Sequence, residues 1–147
     1  MNPKKVLIVD DDSIALDTVS RLINDAGYDV LTASDGSQAV SIARTELPDL
    51  ILLDLIFPPD VAHGGGITWD GFLIMDWLRR IEEARDIPIF VMTQGEPGHF
   101  QNIAFAKGAA AFFHKPIDTA DLIATVQHIL GTVEVDSTLS VHLNLPS

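Results

Sequence analysis

The run Val6-Leu7-Ile8-Val9-Asp10-Asp11-Asp12 decides the fold. Four consecutive apolar residues with no polar alternation suit a strand buried on both faces, as in a parallel sheet. The aspartates end the run, and helical spacing begins directly behind them. Ile14, Ala15, Val19, Leu22, Ile23 and Ala26 recur at intervals of three and four, and Gly27 supplies the stop. One strand–turn–helix unit is legible in this first segment.

The same alternation continues along the chain. Residues 28–32, 50–53, 88–92 and 110–113 are short runs rich in Val, Ile, Leu or Phe. Ala39, Val40, Ile42 and Ala43 predict a second helix after Asp35-Gly36, and Phe72 to Ile81 a third, starting near Asp70. Residues 100–107 predict a fourth, closed by Gly108. Residues 117–130 predict a fifth, with Asp118 or Thr119 near its cap and Gly131 beyond its end. Five βα units in succession imply an α/β fold, a doubly wound parallel sheet with helices on both faces. There is no internal repeat. Residues 1–131 read as one domain, and 132–147 as a C-terminal tail too short for a second.

Composition narrows the function classes. The chain carries 9 basic and 21 acidic residues, a net charge of −12. That field repels phosphate backbones and argues against direct nucleic-acid binding. No apolar run is long enough to span a bilayer, and the N-terminus lacks a signal-peptide core, so a soluble cytoplasmic protein is expected. The absence of cysteine excludes disulfides, thiolate metal sites and a cysteine nucleophile.

The chemistry lies where the strands end. The first run is followed by Asp10-Asp11-Asp12, the third by Asp54, the fourth by Thr93 and the fifth, after His114, by Lys115. A parallel sheet brings all strand C-termini to one edge, where ligands bind. An aspartate behind a strand is, taken alone, more often a helix cap; the conjunction of four strand ends is harder to dismiss. Clustered carboxylates repel one another, and a hard divalent cation with oxygen ligands relieves the repulsion. Magnesium suits such a site, while the lack of Cys, and of His beside the Asp cluster, disfavours zinc. A carboxylate can attack phosphorus to give an acyl phosphate. The transferring phosphoryl group wants a metal, an ammonium and a hydroxyl around its equatorial oxygens. Asp54 as acceptor, Asp10 and Asp11 toward metal, and Lys115 and Thr93 toward phosphoryl oxygens meet these requirements.

At these residues the chain resembles the response-regulator receivers. The resemblance rests on residues 6–12, on Asp-Leu-Ile-Leu-Leu-Asp-Leu (49–55), on Val-Met-Thr (91–93) and on Phe-Phe-His-Lys-Pro (112–116). It covers about residues 4–130. It implies a flavodoxin-like fold with strand order 2-1-3-4-5. It implies that Asp54 is the phosphoacceptor, Asp11 a direct ligand of Mg²⁺ (or Mn²⁺), Asp10 a ligand acting largely through water, and the Ile56 carbonyl a third protein ligand. Thr93 matches the switch hydroxyl, Phe112 a moving switch aromatic (or simply a core one), and Lys115 the phosphoryl-binding lysine, with Pro116 suggesting a cis bond. Asp12 reads as a helix cap. His114 should point away from Lys115, because neighbouring strand residues face opposite sides. The implied partners are a histidine kinase or histidine phosphotransfer protein and a downstream protein target, with a homodimer as one option. The implied protein is a signalling receiver and not a conventional enzyme.

Two departures stand out. Residues 59–69 lie between Pro58 and Asp70-Gly71, making the loop after the third strand longer than the family's usual one. This insert reads as a surface loop, since loops tolerate insertion; the alternative is that it borders the acceptor pocket and alters acyl-phosphate lifetime. His63 within it reads as an exposed loop residue before a ligand. Ile56 and Gly95, two residues after Asp54 and Thr93, offer no polar side chain to orient an attacking water. A slow intrinsic dephosphorylation is therefore expected. In the tail, Val133 and Val135, then Leu139, Val141, Leu143 and Leu145, alternate with polar residues as an edge strand would; the two readings are a disordered tail and strand addition to a partner or a neighbouring subunit.

Competing functions are weaker. A phosphorylation-independent pseudo-receiver would not need the complete Asp–Asp–Thr–Lys set. A haloacid-dehalogenase-type phosphatase wants a second Asp two residues beyond the nucleophile, where this chain has Ile56. No glycine-rich phosphate loop follows the first strand, which disfavours nucleotide binding.

Overall fold

The computed structural model describes residues 3–55, 71–94 and 97–131. Their elements are β1 (Lys5–Val9), α1 (Ser13–Asp25), β2 (Asp29–Ala33), α2 (Gly36–Glu46), β3 (Leu50–Asp54), α3 (Gly71–Arg80), β4 (Ile89–Thr93), α4 (Pro97–Ala106), β5 (Ala111–His114) and α5 (Thr119–Leu130). All pairings are parallel, and the strand order is β2-β1-β3-β4-β5. The doubly wound α/β arrangement expected from the alternating units is the one found.

Two apolar layers sandwich the sheet. Leu7, Val9, Ile51, Leu53, Ile89 and Val91 face Ala39 and Ala43 of α2, Ile74 and Leu78 of α3, and Ala104 of α4. Val6, Ile8, Leu50, Leu52, Phe90 and Met92 face Ile23 of α1 and Leu122 and Val126 of α5. The three central strands are therefore apolar at every inward position on both faces, which is why their sequences show runs without alternation. Each fully buried Val, Ile or Leu contributes roughly 1.5–3 kcal/mol relative to exposure.

Aspartates cap three of the helices, α1, α2 and α5. The Asp12 carboxylate accepts from the Ile14 N–H at 3.0 Å, Asp35 from Gln38 N–H at 2.8 Å and Asp118 from Asp121 N–H at 3.1 Å. Asp12 thus takes the capping role expected of it, and the choice at α5 falls on Asp118. Asp35→Ala should cost ~1 kcal/mol, read as a lower urea midpoint with an unchanged slope.

Several element ends differ from the sequence reading by one to a few residues. β2 begins one residue later than expected, because Tyr28 turns its ring into the core and donates its hydroxyl hydrogen to the Gly131 carbonyl at 3.2 Å. α2 runs on to Glu46, past the last core alanine, and closes on Leu47 with φ of 49°, a left-handed cap without glycine. α4 starts at Pro97, ahead of its first apolar residue, since proline fits a first helical turn whose N–H groups lack helical partners. β5 is shifted one residue on, to 111–114.

Arg79, at the end of α3, joins elements that the sequence does not connect. Its guanidinium donates to the carbonyls of Arg85, Ile87 and Gly108 at 2.8, 2.9 and 3.1 Å. Burial lowers its pKa, partly offset by Asp86.

Candidate functional site

Register carries the chemistry to one edge. Val9 pairs with Leu53, so Asp10 follows β1 level with Asp54, the last residue of β3. Asp54 pairs with Met92, and Thr93 with His114, so the ends of β4 and β5 lie level with them. Lys115 is fixed by its own backbone: its N–H donates to the Thr93 carbonyl at 2.8 Å, and its bond to Pro116 is cis.

The side chains converge there. Asp10, Asp11 and Asp54 each place a carboxylate oxygen within 4.8 Å of the others. Asp10 and Asp54 are buried, as is Thr93. Asp11 stands exposed at the mouth. The Lys115 ammonium donates to Asp10 at 2.9 Å and to Asp54 at 3.4 Å. The other oxygen of Asp10 accepts from the Asp12 N–H at 3.0 Å. Both Asp10 oxygens are thus held.

Electrostatics follow from three carboxylates against one ammonium. Pairs of unit charges at ~4 Å interact by about 4 kcal/mol at an effective dielectric of 20. Burial pushes the Lys115 pKa down, but its hydrogen bond to Asp10 and the Asp54 charge outweigh that and hold it above the ordinary lysine value. Asp11 is raised, first by partial desolvation of the inward part of its carboxyl and then by the neighbouring Asp10 charge. The cluster keeps an excess of negative charge that one lysine does not cancel. Its donors are oxygens alone, which suits a hard divalent cation and not a thiophilic one.

A cleft of about 500 Å³ opens from this edge between α1 and α5. Lys115, Gln94 and Pro116 lie at one end, and Val19, Leu22 and Leu122 line its apolar wall.

The sequence-derived site residues Asp10, Asp11, Asp54, Thr93 and Lys115 therefore share one edge. Phe112 lies half-buried beside the layer that holds α4. His114 is exposed, while Lys115 is part-buried. Ile56, the 59–69 insert with His63, Gly95 and the 132–147 tail lie outside the described residues. Sequence reasoning missed Gly71. Its N–H donates to the Leu55 carbonyl at 2.9 Å, and a Cβ there would lie 2.6 Å from Leu55 Cα and 2.8 Å from the Asp54 carbonyl oxygen. The Asp70-Gly71 pair was the available signal, but a glycine at a helix start does not announce what its backbone touches.

Comparison with known proteins agrees with this geometry. The chain is 36% identical over 126 residues to the DNA-binding dual master transcriptional regulator RpaA of Synechocystis, covering 86% of this chain and 48% of that protein. It is 30% identical over 129 residues to the polar-differentiation response regulator DivK of Brucella anthropi, covering 88% of this chain and 98% of DivK. The chain thus spans about half of the first relative and nearly all of the second. The chemotaxis protein CheY4 of Vibrio cholerae superposes with a TM-score of 0.76 at 30% identity, covering 87% of this chain and 99% of CheY4. Residues 6–127 match the response regulator receiver domain, and with that span of agreement the chain belongs to the receiver family of two-component response regulators.

Proposed function

We propose that this receiver accepts a phosphoryl group on Asp54 from a phosphohistidine of a histidine kinase or histidine phosphotransfer protein. The observation that carries the reading is the buried Asp54 carboxylate, set beside Asp10 and Asp11 and touched by the Lys115 ammonium. An Asp54 oxygen attacks phosphorus as the phosphorus–nitrogen bond of the donor breaks, leaving the imidazole as the departing group. Lys115 can follow the charge as it moves from the carboxylate to the phosphoryl oxygens, and Thr93, at the end of the neighbouring strand, supplies a hydroxyl at the same edge. Asp10, Asp11 and Asp54 would hold Mg²⁺ or Mn²⁺, with Ile56 as the family's further carbonyl ligand. When bound, the ion neutralises phosphoryl charge and the repulsion among the acids.

The reading extends to a cytoplasmic signalling protein that turns over no separate substrate and acts by binding a downstream protein target, with homodimerisation as one output. Thr93 and Phe112 are the proposed switch pair, whose rearrangement would bias an existing equilibrium of the α4–β5–α5 surface. Ile56 and Gly95 provide no group to orient water, which favours a long-lived acyl phosphate. Deleting residues 61–68 tests whether the insert sets that lifetime: an altered dephosphorylation rate supports a bordering role, and an unchanged rate refutes it.

The phosphoacceptor reading is tested by thermal unfolding with Mg²⁺ and beryllofluoride, a mimic of the acyl phosphate. A ligand at a hundred times its Kd stabilises by about 2.7 kcal/mol, so wild type should show a clear rise in Tm and Asp54→Asn none. A rise of equal size in both would refute Asp54 as the acceptor.

A further inference from the structure

α4 is weakly held by burial. Among the described residues Ala104 is its one fully buried side chain, with Phe100 and Ile103 only partly covered. A single methyl group removes little apolar surface from water. α3, by contrast, sinks Ile74, Met75 and Leu78 into the core.

α3 also supplies ties that fasten α4. The Lys107 ammonium, directly behind the last turn of α4, donates to both oxygens of Asp76 at 3.0 and 3.2 Å. It lies 6.0 Å from the centroid of the Phe72 ring, which in turn lies 6.2 Å from that of Phe100. The Lys107 backbone N–H donates to the Ile103 carbonyl at 3.0 Å, so pinning its side chain pins the helix end. Arg79 holds the next residue, donating to the Gly108 carbonyl at 3.1 Å.

The other end of α3 is clamped to the acceptor strand. The Gly71 N–H donates to the Leu55 carbonyl at 2.9 Å, and a Cβ at Gly71 would meet the Asp54 carbonyl oxygen at 2.8 Å. A ten-residue α-helix is a stiff element about 15 Å long. α3 therefore links the Asp54 peptide to α4 by direct contacts at both ends.

We infer that α3 carries a second route from the acceptor to α4, separate from the Thr93–Phe112 pair, and that the Asp76–Lys107 contact is its lock. The inference rests on Asp54 being the phosphoacceptor. In this structure Lys115 touches the unphosphorylated Asp54 carboxylate while the lock is closed. Phosphorylation enlarges the Asp54 side chain and shifts its peptide. Gly71 has no clearance to absorb that shift, so α3 moves and draws Asp76 away from Lys107. By linkage, weakening a contact made only in the unphosphorylated arrangement strengthens binding of whatever favours the other one.

Beryllofluoride with saturating Mg²⁺, titrated into the full chain and followed by amide NMR, tests this in wild type, Lys107→Met, Asp76→Asn and the double variant. Both side chains of the pair are partly exposed. Such ion pairs and cation–π contacts are weak, so each single variant should bind about two- to fivefold tighter than wild type. The double variant should gain no more than Lys107→Met alone, because both changes remove one contact. The Ile103 and Ala104 amides should exchange faster in all three variants. Faster exchange with unchanged affinity would reduce the pair to a structural contact and overturn the coupling. Weaker binding would place the contact in the phosphorylated arrangement and would also overturn it. No binding to wild type at all would overturn the acceptor reading together with the inference that rests on it.

Discussion

Lys115→Met should destabilise the protein by about 3 kcal/mol, at the lower end of the range for removing one member of a buried ion pair. The side chain of Lys115 is 16% exposed and that of Asp10 only 2%, so little solvent replaces the lost ammonium. Asp10 would keep the Asp12 N–H on one oxygen and lose its charge partner on the other. Asp54 would lose the same partner. Methionine preserves the length and apolar stem, so the loss reports charge and hydrogen bonding more than packing.

The pH dependence of the difference has a definite sign. Lys115 has a folded-state pKa above the ordinary lysine value of 10.5. Its contribution is therefore present in full below that value and is lost as pH rises through the higher folded one. Urea midpoints of wild type and Lys115→Met should differ across the neutral range and approach each other only in strong alkali. A constant gap into that range would mean the effect is packing. Added Mg²⁺ should narrow the neutral-pH gap, because a cation among Asp10, Asp11 and Asp54 relieves the same repulsion.

Gly71→Val should be the most damaging single change near the site. The first added atom would already sit 2.6 Å from Leu55 Cα, 2.7 Å from Leu55 Cδ2 and 2.8 Å from the Asp54 carbonyl oxygen, and two of these three neighbours are backbone atoms of the acceptor strand and its exit. A flexible side chain can move aside; the Asp54 carbonyl cannot without shifting β3. Overpacking typically costs 1–3 kcal/mol, and backbone obstruction places valine at or beyond ~3 kcal/mol. Gly71→Ala should show a smaller version of the same loss, together with weaker Mg²⁺ binding because the Asp54 peptide moves. Near-wild-type stability in Gly71→Val would show that α3 can pull away from the strand at little cost.

These two residues mark what the sequence made legible and what it did not. Lys115 is legible because it stands one residue beyond an apolar run, and Asp10, Asp54 and Thr93 follow theirs directly; in a parallel sheet, sequence position sets which edge a residue reaches. Strand identity was equally plain where both faces are buried, as in β1, β3 and β4. Gly71 was hidden because its constraint comes from a strand exit many residues earlier, and no local pattern encodes that approach. Arg79 was hidden for the same reason, since its three carbonyl partners come from two separate turns. The division of Asp10 between the Lys115 ammonium and the Asp12 N–H also needs three dimensions: the sequence pointed to Asp10 as a metal-side acid, and the fold makes it the closest partner of the lysine as well. α4 started earlier than read because its opening residues are capping and turn types that lack apolar periodicity.

The most direct measurement is intact mass after incubation with acetyl phosphate, with and without Mg²⁺, for wild type and Asp54→Ala. A phosphoryl acceptor at Asp54 requires one adduct on wild type, lost in the presence of a chelator and absent from the variant. An adduct that persists in Asp54→Ala, or no adduct on wild type with Mg²⁺ present, would contradict it.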